Sequence, residues 1–123
     1  MNDSGREAEV GQAHGTVTIA PHALTSIISR TALEVPGIAR MGTIPPRRVG
    51  QFLTGSQTRD GVLVRVDEAV SVDLYLVAQP DVNLLDLGTE VQAAVANAIR
   101  EMVGMPVHEV NVYIQDVEAV RGG

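Results

Sequence analysis

Three histidines and fifteen carboxylates are the side chains of this sequence best suited to acid–base or metal chemistry. His14 falls in a polar stretch, His22 in a first helical turn and His108 at the start of a strand pattern, and none has a ligand partner three or four residues away. They read as surface groups rather than ligands or catalysts. The closest acidic pairs are Asp67 with Glu68 and Asp116 with Glu118. Two carboxylates can serve as acid and base in glycoside hydrolysis, but the first pair occupies a hairpin turn and the second lies near the end of the chain. Both are expected to be solvated. Cysteine is absent, which excludes disulfides, thiolate metal sites and cysteine nucleophiles. No Gly-rich phosphate cradle follows a strand and opens a helix, and no G-x-x-G clamp occurs. The sequence therefore predicts no enzyme, no cofactor and no metal.

The elements behind these residues fit one domain of 123 residues. The apolar fraction of 45% and mean hydropathy of +0.12 are those of a folded chain. Phe52, Tyr75 and Tyr113 are the only rings, so Val, Leu, Ile and Ala must build the core. Few rings also leave few platforms for stacking single-stranded bases. A formal charge of -6 repels phosphate backbones and anionic lipid, and Arg47-Arg48 beside Pro45-Pro46 is too small a basic cluster to hold a membrane. No nucleic acid partner is expected. No basic start and apolar stretch of a secretory signal appears, nor an apolar run of about 18 residues. The expected location is the cytoplasm, with no direct membrane insertion.

Residues 1–14 are polar and aperiodic and read as a disordered tail. Gly15-Thr16-Val17-Thr18-Ile19 alternates, which predicts a short strand. Pro21 opens a helix to about Glu34, with Leu24, Ile27, Ile28, Ala32 and Val35 on one stripe, and Pro36-Gly37 stops it. Ile38 to Met41 reads as a second short strand. Residues 42–60 read as a long loop in which Val49, Phe52 and Leu53 share one face of a single turn. Val62 to Val66 and Val70 to Val77 alternate around Asp67-Glu68-Ala69, an antiparallel hairpin. Asn83 caps a helix with Leu84, Leu87, Val91, Ala94, Val95, Ala98, Ile99 and Met102 on its stripe, closed by Gly104 and Pro106. A last strand spans Val107 to Gln115, and residues 118–123 read as a flexible tail. The fold class is α+β: a single two-layer domain at 15–117, a mixed or antiparallel sheet with two main helices packed on one face.

Hairpin, helix, strand and a terminal Arg121-Gly122-Gly123 resemble ubiquitin-like modifiers, but the strand and helix before the hairpin are foreign to that plan. Five stretches resemble the alkaline-shock, or glucose-starvation-inducible general stress, family. They are Gly15 to Ile19, Glu34-Val35-Pro36-Gly37-Ile38, Val70 to Leu76, the helix from Val91 to Gly104, and Val107 to Ile114, in that order and spacing. The resemblance implies a cytoplasmic bacterial protein of the envelope or alkaline stress response, without enzymatic activity. It also implies self-association and an integral membrane anchor protein as partner. It carries no site residues. The Pro45-Pro46-Arg47-Arg48 segment departs from the more helical insert of that family.

Two function classes remain. The first is a self-associating scaffold or interaction module. With Val62, Val64, Val66, Val72, Leu74, Val110 and Val112 facing the helices, Leu63, Tyr75, Val77 and Tyr113 share the opposite sheet face. That face is the predicted interaction surface, since tyrosine buries a large area while keeping a polar tip. The alternative is a small nucleic-acid or ligand-binding domain on a similar sheet, disfavoured by charge and missing motifs.

Overall fold

A computed structural model describes residues 13–51 and 56–119. Of the tails expected at 1–14 and 118–123, residues 1–12 and 120–123 lie outside the described residues, as do Phe52 and Leu53 of the expected turn.

Helix α1 (Pro21–Glu34) begins with proline in its first turn and buries Leu24, Thr25, Ile28 and Ala32. The missing proline N–H would have had no intrahelical partner there. Strand β1 (Ile38–Met41) follows, then a short helix α2 (Pro46–Gln51), strand β2 (Ser56–Arg59), strand β3 (Val62–Val66) and strand β4 (Val70–Ala78). Helix α3 (Leu84–Ala98) continues into a π turn (Ile99–Val103), and strand β5 (Val107–Val117) completes the fold. The Asn83 side chain accepts the Asp86 N–H at 2.9 Å, capping α3 as its residue type predicts.

Two expectations are overturned along this path. Residues 15–19 form no strand, and Val17 is 93% exposed. Alternation supplies the propensity for a strand, but a strand needs a hydrogen-bonding partner, and none of the described strands pairs with this segment. The expected loop 42–60 instead contains α2 and β2. Arg59 pairs with Val62 across the turn Asp60-Gly61. Both turn residues have positive φ, 37° and 80°, the two-residue type I′ geometry that matches strand twist.

The sheet is mixed. β4 pairs antiparallel with β1 and β3 and parallel with β5, as the α3 crossover between β4 and β5 requires. β3 takes the first half of one β4 edge, residues 70–74, and β1 takes the second, residues 76–78. The two meet at Tyr75, whose N–H donates to the Gly61 carbonyl at 2.8 Å and whose carbonyl accepts the Gly42 N–H at 2.6 Å. A Cβ on Gly61 would lie 2.7 Å from the Tyr75 oxygen, so this junction closes only around glycine.

α1 and α3 cover one face of the sheet. Ile28, Val62, Val64, Val72, Leu74, Leu76, Val91, Val95 and Ile99 form the core cluster with Leu24 and Leu87. Each fully buried aliphatic chain contributes about 1.5–3 kcal/mol of transfer free energy. Ile27 is only half-buried and Met102 is 67% exposed, against the stripe expected for both. The π turn explains Met102: the wider turn after Ala98 keeps Ile99 on the core and rotates Met102 off it.

Candidate functional site

The sheet face turned away from α1 and α3 carries the polar chemistry of the molecule. Alternation sends Ser71, Asp73, Tyr75 and Val77 of β4 to it, with Leu63 and Arg65 of β3 and Asn111 and Tyr113 of β5. The register sets Asp73 beside Leu63 on one side and Asn111 on the other, and Tyr75 beside Tyr113.

Four residues were expected to form an open interaction face, and the structure corrects that exposure. Leu63, Tyr75 and Val77 are 2%, 4% and 2% exposed, while Tyr113 alone stays open at 42%. Part of the cover comes from α2. Its Arg48 side chain reaches across to form an ion pair with Asp73 and donates from Nε to the Tyr75 hydroxyl at 3.3 Å. The Pro45-Pro46-Arg47-Arg48 segment and the tyrosine face are therefore one site. Nothing in the local pattern of Pro45 to Arg48 names Asp73 as its partner, 25 residues on.

Asp73 is buried, yet both carboxylate oxygens are engaged: Oδ2 by Arg48 and Oδ1 by the Asn111 carboxamide at 2.9 Å. A buried carboxylate needs such donors to offset its desolvation. The hydrogen bond to Asp73, followed by that to Tyr75, raises the Arg48 pKa above its already high ordinary value. The Tyr75 and Tyr113 rings stack with centroids 4.8 Å apart and planes 13° from parallel. Burial, then the charge of Asp73, pushes the Tyr113 hydroxyl above its ordinary value of 10.0. Farther along the face Gln115 clamps Thr43, accepting its N–H at 3.0 Å and donating to its carbonyl at 2.7 Å. Arg40 forms a two-pronged pair with Glu118, at 3.0 and 2.6 Å. α2 thus lies over part of this face through Arg48, while the Gln115 and Arg40 contacts tie the end of β1 and the residues after it to the end of β5.

The other residues singled out for chemistry do not converge. Asp67 and Glu68 are exposed in the hairpin turn, and His22 lies 3.4 Å from Arg59 at the opposite side of the sheet from β5. Among the described residues no group of three His, Asp or Glu side chains could hold a metal ion. Among them also, no helix is long and apolar enough to cross a membrane.

β5 pairs with β4 along one edge, and among the described residues no strand pairs with its other edge. Beside that edge runs a shallow groove lined by Leu84, Leu85, Gly88 and Gln92 of α3 with Val112 and Ile114 of β5. Gln92 donates to the Val110 carbonyl at 3.0 Å.

Several known proteins are similar to this chain in sequence or in fold. YloU of Bacillus subtilis (strain 168), an uncharacterised protein, is 23% identical over 116 residues, 92% of this chain and 97% of that one. Uncharacterised protein Spy1614 of Streptococcus pyogenes serotype M6 is 22% identical over 115 residues, covering 91% and 95%. Among solved structures a MamM CTD variant superposes with a TM-score of 0.53 at 18% identity, covering 79% of this chain and 95% of that chain, a likeness of fold alone. The model of the alkaline shock protein 23 family, described as having a cell envelope-related function, matches residues 9–119. With nearly the whole chain matched in the order of elements just described, this protein belongs to that family.

Proposed function

We propose that this protein is a non-enzymatic interaction module of the cell envelope that self-associates in the cytoplasm and is held near the membrane by an integral membrane partner. The observation that carries this reading is the set of exposed apolar side chains at the β5 edge, with Tyr113 on the face away from the helices and Leu84 and Leu85 of α3 on the other side. Leu84, Leu85, Tyr113 and Val117 are 41%, 82%, 42% and 43% exposed. Four of the nine exposed large apolar side chains among the described residues lie at this edge; such grouping marks contact surfaces, and tyrosine is enriched in them. Family membership supports the envelope setting. A formal charge of -6 favours protein contacts over nucleic acid or bare anionic lipid.

Sedimentation equilibrium tests the self-association. The protein should show concentration-dependent mass, weakened by Leu85→Glu or Tyr113→Glu and unchanged by Arg47→Glu. A monomer persisting to roughly 1 mM, the weak end of specific binding, would refute it. The tether is tested by flotation: the protein should rise with native membranes and stay behind with protein-free vesicles of the same lipids. Binding to the bare vesicles would overturn the tether.

A further inference from the structure

The geometry points to a strand exchange between copies, in which Thr16-Val17-Thr18-Ile19 of one chain adds to the free β5 edge of a second. This rests on the self-association just proposed and names its interface. The donor is a stretch of strand-forming residues that pairs with no strand among the described residues: it alternates, holds no charge and no proline, and leaves Val17 and Ile19 93% and 47% exposed. The acceptor is an edge of 11 residues. Edges left open in native proteins are usually blunted by lysine, proline or a bulge. Here the register shifts lie at the two ends of the β4–β5 pairing. The span between them runs from Glu109 to Ile114; beyond Glu109 its five residues Val110-Asn111-Val112-Tyr113-Ile114 contain no charge and no proline, and the sequence contains no lysine at all.

Side chains and backbone agree on the fit. An added strand whose Val17 and Ile19 point to the helix side continues the row of Val112 and Ile114, and both chains enter the groove of Leu84, Leu85 and Gly88. Gly88 keeps that wall low: a Cβ there would meet only Val112, at 4.0 Å. Thr16 and Thr18 then fall on the side of Tyr113, which is open to them. Gln92 holds the Val110 carbonyl as a placeholder that an incoming backbone N–H could replace.

The donor cannot be the chain's own segment. Arg59 of β2 bonds Ser26 at 2.5 Å, so the start of α1 stands over the β2 side of the sheet. From β2 to β5 is three strand spacings, roughly 14 Å, whereas the two residues from Ile19 to Pro21 span at most about 7 Å. Its own β2 edge is closer, but the surface beside it is lined by Ser26, Ser29, Arg30, Glu34 and Arg59 with Leu33, and offers the two apolar chains little.

The absence of cysteine allows a clean test. Chains carrying Val17→Cys and Leu85→Cys singly are mixed and treated with a short bis-maleimide, beside a control mixture of Val17→Cys and Glu68→Cys. A heterodimer in the first mixture and none in the control is expected. Coupling only within a doubly substituted chain, or equal coupling in the control, overturns the exchange. In parallel, Val17→Pro with Thr18→Pro should weaken self-association at least tenfold in sedimentation equilibrium. Adjacent N–H groups of a strand point to opposite sides, so one donor facing the acceptor is always lost. Both positions are exposed and unpaired, and the circular dichroism spectrum should not change. If the unsubstituted protein associates and the double proline variant associates equally, self-association stands and this interface falls. If the unsubstituted protein is monomeric, both fall.

Discussion

Cutting the contact that holds α2 to the sheet should have unequal consequences from its two ends. Asp73 is 3% exposed and Arg48 is 29% exposed. Replacing Arg48 by Met leaves a buried carboxylate with the neutral Asn111 carboxamide as its remaining described side-chain donor. Breaking a pair from one side costs about 3–5 kcal/mol when both partners are deeply buried. Water reaches the open side of Arg48, which lowers the expectation to about 2–3 kcal/mol. Asp73→Asn keeps the shape and removes the charge, and the guanidinium can turn toward solvent. Only the net value of a charged hydrogen bond to a partly exposed guanidinium is then lost, the low end of its range, about 1.5 kcal/mol. The double change Arg48→Met with Asp73→Leu should cost less than the sum of its parts, since no unpaired charge remains. Urea titration followed by far-ultraviolet circular dichroism measures all three, with an unchanged urea slope as the sign that the unfolded state is not altered. The reasoning is refuted if Asp73→Asn costs more than Arg48→Met, or if Arg48→Met falls within about 0.5 kcal/mol of the parent, the range of an ordinary surface change.

Three further outcomes are expected. Ile99→Ala should destabilise by about 2–5 kcal/mol in the same titration, because Ile99 is fully buried where α3 meets the π turn; a loss below about 1 kcal/mol would contradict its place in the core. Gly61→Ala should cost at least about 2 kcal/mol, combining a left-handed backbone with the 2.7 Å approach to the Tyr75 carbonyl; a neutral result would mean that the junction relaxes. The raised Tyr113 pKa means that the folded state holds this proton more tightly than the unfolded state. Its contribution is therefore fully present below the unfolded value near 10 and is lost as pH rises through the folded one. Tyr113→Phe should flatten the fall in melting temperature above pH 10, and an unchanged profile would contradict the shift.

How far the sequence reaches can be followed element by element. The β3–β4 hairpin and α3 are legible because each is written in a local period, two for the strands and 3.6 for the helix. Strand β2 was hidden by its composition: Ser56-Gln57-Thr58-Arg59 has no apolar alternation and is fixed by pairing with β3. The Asp60-Gly61 turn was the available signal, since this dipeptide favours a two-residue hairpin. Residues 15–19 show the opposite case, with clear alternation and no partner within the described fold. The buried state of Leu63, Tyr75 and Val77 was not legible, because alternation gives the side of a sheet but not what lies over it. For Tyr75 part of the cover is Arg48, which meets it and Asp73 in a pairing between segments that no local pattern encodes.

β4 has both faces and both edges covered, and the pieces that cover it come from opposite ends of the chain. β1 precedes it, while α3 and β5 follow it. A chain emerging from the ribosome can therefore close the β3–β4 hairpin early. It cannot complete the sheet until residue 117 has appeared, since the parallel partner of Ala78 is Val117. Until then the one described strand that is buried at every residue presents an open edge. Pauses or truncations between residues 78 and 107 would thus leave a nascent chain that is sticky rather than half-folded, and the short span of synthesis between those points limits how long that state lasts.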